Sequence, residues 1–100
     1  MEVLYTVKLL YPTDTPVSPG VISVEIYKPQ QGKLPIYIKS LDENDPKQFM
    51  QNIASIIQEE LLKRINIDIT TQVQLYIVEG DTKYKIVFND SLNNFTIEKE

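Results

Sequence analysis

One hundred residues with a formal net charge of −4, 42% hydrophobic side chains and no histidine, cysteine or tryptophan describe one folded domain with a single core. The missing histidine removes the side chain whose unperturbed charge change falls between about pH 5 and 8; the missing cysteine excludes disulfides, thiolate nucleophiles and zinc–thiolate centres. Charge is uneven, +1 over residues 1–41 and −5 over residues 42–100, and this balance disfavours nonspecific grip on nucleic acid, which depends on neutralising phosphates.

The N-terminus alternates polar with apolar residues and carries Glu2, so it does not read as a signal peptide. No stretch approaches the roughly 18 apolar residues of a membrane span. A soluble, cytoplasmic protein without a membrane partner is expected.

Along the chain, Val3, Tyr5, Val7, Leu9 and Tyr11 oppose Glu2, Leu4, Thr6, Lys8 and Leu10, the period-two pattern of a strand. Residues 12–20 hold three prolines and a glycine and predict a stiff loop. A strand follows at 21–28, with Ile22, Val24 and Ile26 opposite Ser23, Glu25 and Tyr27. Pro29-Gln30-Gln31-Gly32 reads as a turn into a third strand at 33–41, where Leu34, Ile36 and Ile38 oppose Pro35, Tyr37 and Lys39. The two form a hairpin, and Pro35, which lacks a ladder donor, predicts an edge strand or a bulge.

Asp45-Pro46-Lys47-Gln48 supplies an N-cap, a proline at the first helical position and a glutamine where a capping box wants one. Phe49, Met50, Ile53, Ala54, Ile56, Ile57, Leu61 and Ile65 fall on one broad face at helical spacing. Glu59–Lys63 and Glu60–Arg64 support a helix at about 46–65. Beyond it, strands are predicted at 72–78 and 83–88 around a Glu79-Gly80-Asp81-Thr82 turn, with a short sixth at 95–97. The reading is a single α+β domain over 1–100, ordered β-β-β-α-β-β(-β), with a mainly antiparallel sheet and one long helix on one face.

Familiar chemical motifs fail at named positions. From Asp42, a calcium loop needs Gly at its sixth position and Glu at its twelfth, and finds Lys47 and Ile53; the acidic cluster instead suits a helix N-terminus. Gly32-Lys33 lacks the earlier glycine of a phosphate-binding loop and leads into a strand. In Lys83-Tyr84-Lys85-Ile86-Val87-Phe88 the aromatics share a face with Ile86, so they belong to the core, and the lysines read as the solvated face of an edge strand that resists aggregation. Nothing brings Glu25, Glu79, Asp81 and Asp90 together. Thr15-Pro16 and Ser18-Pro19 read as loop chemistry.

The faces assigned to solvent are not very polar. They carry Leu4, Leu10, Tyr27, Tyr37, Tyr76, Val78 and Val87. Five or six strands make a sheet roughly 20 to 29 Å wide, while one helix with its side chains is about 10 to 12 Å across. Such a sheet must curl around its helix, pair with a second copy or hold a partner on its tyrosine-bearing face. The expectation is a non-enzymatic interaction module, homodimeric through a sheet face or edge, with Tyr27, Tyr37, Tyr76, Val78, Leu4 and Leu10 as the interaction surface and no cofactor or metal. Behind it stands a small acidic regulator of a nucleic-acid enzyme acting through Asp42, Glu43 and Asp45. A carboxylate-dependent metal enzyme ranks third and a direct nucleic-acid binder last.

Overall fold

The computed structural model describes residues 2–11, 20–39 and 45–100. The predicted 12–19 loop, its Thr-Pro and Ser-Pro pairs, and the acidic residues Asp42 and Glu43 lie outside them. Six strands and one helix follow in the order β1 (Val3–Tyr11), β2 (Gly20–Tyr27), β3 (Leu34–Lys39), α1 (Pro46–Ile65), β4 (Val73–Glu79), β5 (Thr82–Ser91) and β6 (Asn94–Lys99). The strands form one sheet in chain order, β1 to β6. All neighbours are antiparallel except β3 and β4, whose parallel register, from Leu34 opposite Val73 to Lys39 opposite Val78, needs a crossover that α1 supplies.

Helix α1 begins where its chemistry dictates. Asp45 has extended backbone angles and its carboxylate accepts the N–H groups of Lys47 (3.1 Å) and Gln48 (3.3 Å). The Gln48 amide does not reach back as a capping box would; it donates to Asn52 Oδ1. At the other end Asn66 takes the left-handed conformation, and its N–H bonds Leu62 O at 3.1 Å, as a helix stop requires. Gln58 then holds the exit: its amide donates to Ile67 O at 3.0 Å and accepts from Ile69 N at 2.7 Å.

The core lies between α1 and one sheet face. Phe49, Met50, Ile53 and Ile57 of the helix are buried against Val7, Ile22, Val24, Ile36, Ile38, Leu75, Ile77 and Ile86. The helix backbone comes within 8 Å, Cα to Cα, of both margins, β1 and β6. The sheet therefore wraps its edges around one helix, which resolves the mismatch between a wide sheet and a narrow cover. Among the described residues nothing packs on the opposite face.

Three features depart from the simple alternation. Pro35 sits in β3, which is interior and not an edge. The β2 ladder on β3 runs only from Ser23–Lys39 to Ile26–Ile36, so the missing N–H falls beside the mouth of the hairpin, at the strand's start, where no ladder donor is needed. A register shift between Val3 and Tyr5 leaves Leu4 unpaired and sets Val3 opposite Tyr27, away from the face of Val7. Gly20 belongs to β2, opposite Tyr11, because the tyrosine ring lies over it where a side chain would stand.

Candidate interaction surface

The register gathers the open-face side chains. Glu25 opposes Tyr37, Tyr37 opposes Tyr76, and Tyr76 opposes Lys85, so one row crosses four strands. Tyr27 meets Tyr37 edge-to-face at 5.1 Å, and Tyr37 stacks on Tyr76 at 5.0 Å with planes 14° apart, separations at which aromatic pairs add about 0.5–1.5 kcal/mol beyond their area. Lys83 Nζ stands 5.4 Å from both the Tyr37 and Tyr76 centroids, within cation–π range.

Glu25 anchors one end of the row. Its carboxylate pairs with Lys39 Nζ through one oxygen and accepts the Tyr27 hydroxyl at 2.9 Å through the other. The Lys39 hydrogen bond holds the carboxyl below the usual carboxylate range despite partial burial, with the Tyr27 hydroxyl acting in the same direction. The same contacts raise Lys39 and Tyr27, in each case chiefly through the bond to Glu25. Tyr76 is raised mainly by burial, then by the Glu100 charge.

Two shallow depressions flank the ring stack. One of about 440 Å³ is lined by Tyr27, Tyr37, Lys39, Val78 and Lys83. The other, about 570 Å³, lies toward the β2–β3 turn and is lined by Lys28, Gln30, Gln31, Lys33, Pro35, Gln74 and Tyr76.

The structure thus brings together Tyr27, Tyr37, Tyr76 and Val78 from the predicted surface. Leu4 and Leu10 lie apart from them on β1, 51% and 64% exposed. Tyr84 and Phe88 do pack against the core, as their parity predicts, but β5 is not the expected edge strand: it pairs with β4 on one side and β6 on the other. The missed element is Lys83, whose place follows from the hairpin: with two residues between Glu79 and Thr82, Val78 must oppose Lys83 and Tyr76 must oppose Lys85. The lysines of β5 therefore share a face with tyrosines of β3 and β4. Glu79 and Asp81 stay at that hairpin, while Asp90 accepts from Asn94 at 2.9 Å. Among the described residues no three acidic, histidine or cysteine side chains converge as a metal site, and no helix is long and apolar enough to cross a membrane. Comparison of the chain with protein-family models, curated proteins and solved structures found no match.

Proposed function

We propose that this protein is a non-enzymatic, cytoplasmic interaction module that pairs with a second copy of itself through the free edge of β1. The carrying observation is the character of that edge. Strand β1 is outermost in the sheet and, among the described residues, pairs with β2 alone. Val3, Leu4, Tyr5 and Leu10 on it, and Val21 beside Leu10, are 39 to 64% exposed. A long apolar edge with one charge, Lys8, is a template for another strand. The opposite edge, β6, is short and carries Glu98 and Lys99, the usual protection against such pairing.

A dimer through the open faces is the weaker arrangement, since it would set Lys39, Lys83 and Lys85 of one copy against the same residues of the other. At the β1 edge, a two-fold axis at Val7 sets Leu4 opposite the partner's Leu10 and Lys8 opposite Thr6, and avoids a Lys8–Lys8 contact. Such pairing is isologous and closes at two subunits.

Light scattering over a micromolar concentration series tests the reading. The expected mass is that of a dimer, and L4K alone or L10E alone gives monomer with unchanged circular dichroism. The combined L4K/L10E chain dimerises again, because each lysine faces a glutamate across the axis. A strict monomer at every concentration overturns the proposal.

A further inference from the structure

The open face combines two chemistries that the net charge of the chain conceals. Lys28, Lys33 and Lys83 have no carboxylate partner among the described residues. Lys28 and Lys33 are exposed on the β2–β3 turn, where they border the depression shared with Gln30, Gln31, Gln74 and Tyr76. Lys83 borders the depression on the far side of the Tyr37–Tyr76 stack. Opposing charge comes from Glu25, already committed to Lys39 and Tyr27, from Glu98, which stands opposite Lys85, from Glu100, whose backbone N–H bonds Lys83 O at 2.9 Å and whose charge reaches Tyr76, and from Glu2, whose carbonyl accepts the Lys28 N–H at 3.1 Å. Among the other described carboxylates, Asp45 caps α1, Asp68 accepts from Thr70 ahead of β4, Asp81 lies in the β4–β5 turn, and Glu59 and Glu60 pair with Lys63 and Arg64 along the helix. Glu2, Glu98 and Glu100 stand beside the lysines without forming an ion pair to Lys28, Lys33 or Lys83 among the described residues, so those three cations keep their donors for a ligand.

We propose that this face binds single-stranded nucleic acid, independently of any pairing through β1. The order of groups along the sheet is cation, ring, cation: Lys28 and Lys33, then Tyr76 and Tyr37, then Lys83. The two depressions lie about 13 Å apart along β3, four residues at strand rise from Pro35 to Lys39, so an extended chain is needed to reach both. A single strand alternates phosphates with planar bases, and open sheets carrying tyrosines among lysines use that alternation: cations follow the backbone while unpaired bases stack on rings. The three glutamine amides beside Tyr76 add donors and acceptors suited to base edges. An acidic peptide would satisfy the lysines but brings no planar group to the tyrosines. A duplex has its bases already stacked, and this convex face offers no helix or ribbon to enter a groove.

Anisotropy titration of labelled oligo(dT) and oligo(U), each of about twelve nucleotides, tests the proposal on the full chain. Three phosphate contacts predict a slope of log affinity against log salt near −2, or roughly a 20-fold loss between 50 and 200 mM. The K28A/K33A variant, which changes only exposed turn residues, reduces the slope by about 1.4. In this tryptophan-free chain the tyrosine emission is quenched on binding, and Tyr76→Leu weakens the affinity with the salt slope retained. Absence of binding at low salt overturns the proposal, as does an affinity and slope unchanged in K28A/K33A. Polyglutamate binding as tightly as an oligonucleotide of equal charge, without quenching, assigns the face to an acidic peptide instead.

Discussion

Two positions show how single residues set this structure. At Gly20 an added Cβ would stand 2.3 Å from Cζ of Tyr11, and that ring meets Phe49 edge-on at 5.5 Å. Gly20→Ala therefore displaces a buried aromatic contact between sheet and helix. Thermal or urea unfolding will record a loss of about 1–3 kcal/mol, the usual cost of overpacking. At Glu25 the sign of the titration follows from its lowered pKa. The folded state favours the ionised form, so the contribution is present at neutral pH and is lost as pH falls below about 4. Lys39 is half exposed, 51%, which keeps the effect below about 1 kcal/mol. Glu25→Gln will flatten the acid limb of the stability–pH curve without changing its neutral plateau by more than that. With no histidine in the chain, no side chain at its ordinary pKa adds a transition between about pH 5 and 8. Tyr27 and Tyr76 will ionise above the usual tyrosine range in an ultraviolet titration.

At the scale of elements, alternation and capping carried much of the fold into plain view. Asp45-Pro46 and the apolar stripe from Phe49 to Ile65 place α1 at its observed limits, and period-two runs place all six strands to within a few residues. What alternation cannot reveal is the neighbour of each strand. Pro35 looked like an edge signal because its missing donor counts only on the side where a ladder exists. The unpaired Leu4 moved Val3 to the tyrosine face without leaving a mark on the pattern. The tyrosine row was legible as three residues at polar parity, but the Tyr37–Tyr76 stack depends on a parallel register across a helical crossover, which no local spacing encodes. Gln58 illustrates the same point: a polar helix residue of no evident role ties down the exit to β4. Its two bonds serve otherwise unpaired backbone groups at Ile67 and Ile69, so Gln58→Ala will cost about 1–3 kcal/mol and hydrogen exchange will show faster opening over residues 66–72 before any other segment.

For the whole molecule, one helix suffices because the sheet curls toward it at β1 and β6, giving a radius of gyration of 12.9 Å, close to the roughly 13 Å of a compact chain this long. Wrapping buries most of one face and, among the described residues, leaves the other convex and open. The chain's negative total hides a lysine-bearing surface, since a sum over residues carries no information on their direction. An isoelectric measurement and a surface-binding assay will accordingly disagree: the protein will migrate as an acid and still be retained on a polyanionic matrix at low salt, with K28A/K33A eluting earlier.

The single parallel pairing, β3 with β4, divides the sheet into two three-stranded meanders, and this division has a kinetic meaning. Within each meander successive strands join through short connections, so their contacts are local and form early. The β3–β4 contact must close a loop from Lys39 to Val73, at greater entropic cost. The order of events is then two meanders first, with the join between them last. Because Ile38 and Ile77 also pair within their own meanders, with Val24 and Tyr84, the join is read from a double-mutant cycle: the coupling between Ile38→Val and Ile77→Val will appear in the unfolding rate, whereas Val7→Ala, paired with Val24 inside the first meander, will slow folding. The Tyr37–Tyr76 stack straddles that join, so its near-ultraviolet dichroism will lag behind the far-ultraviolet signal and serve as a clock for the last step.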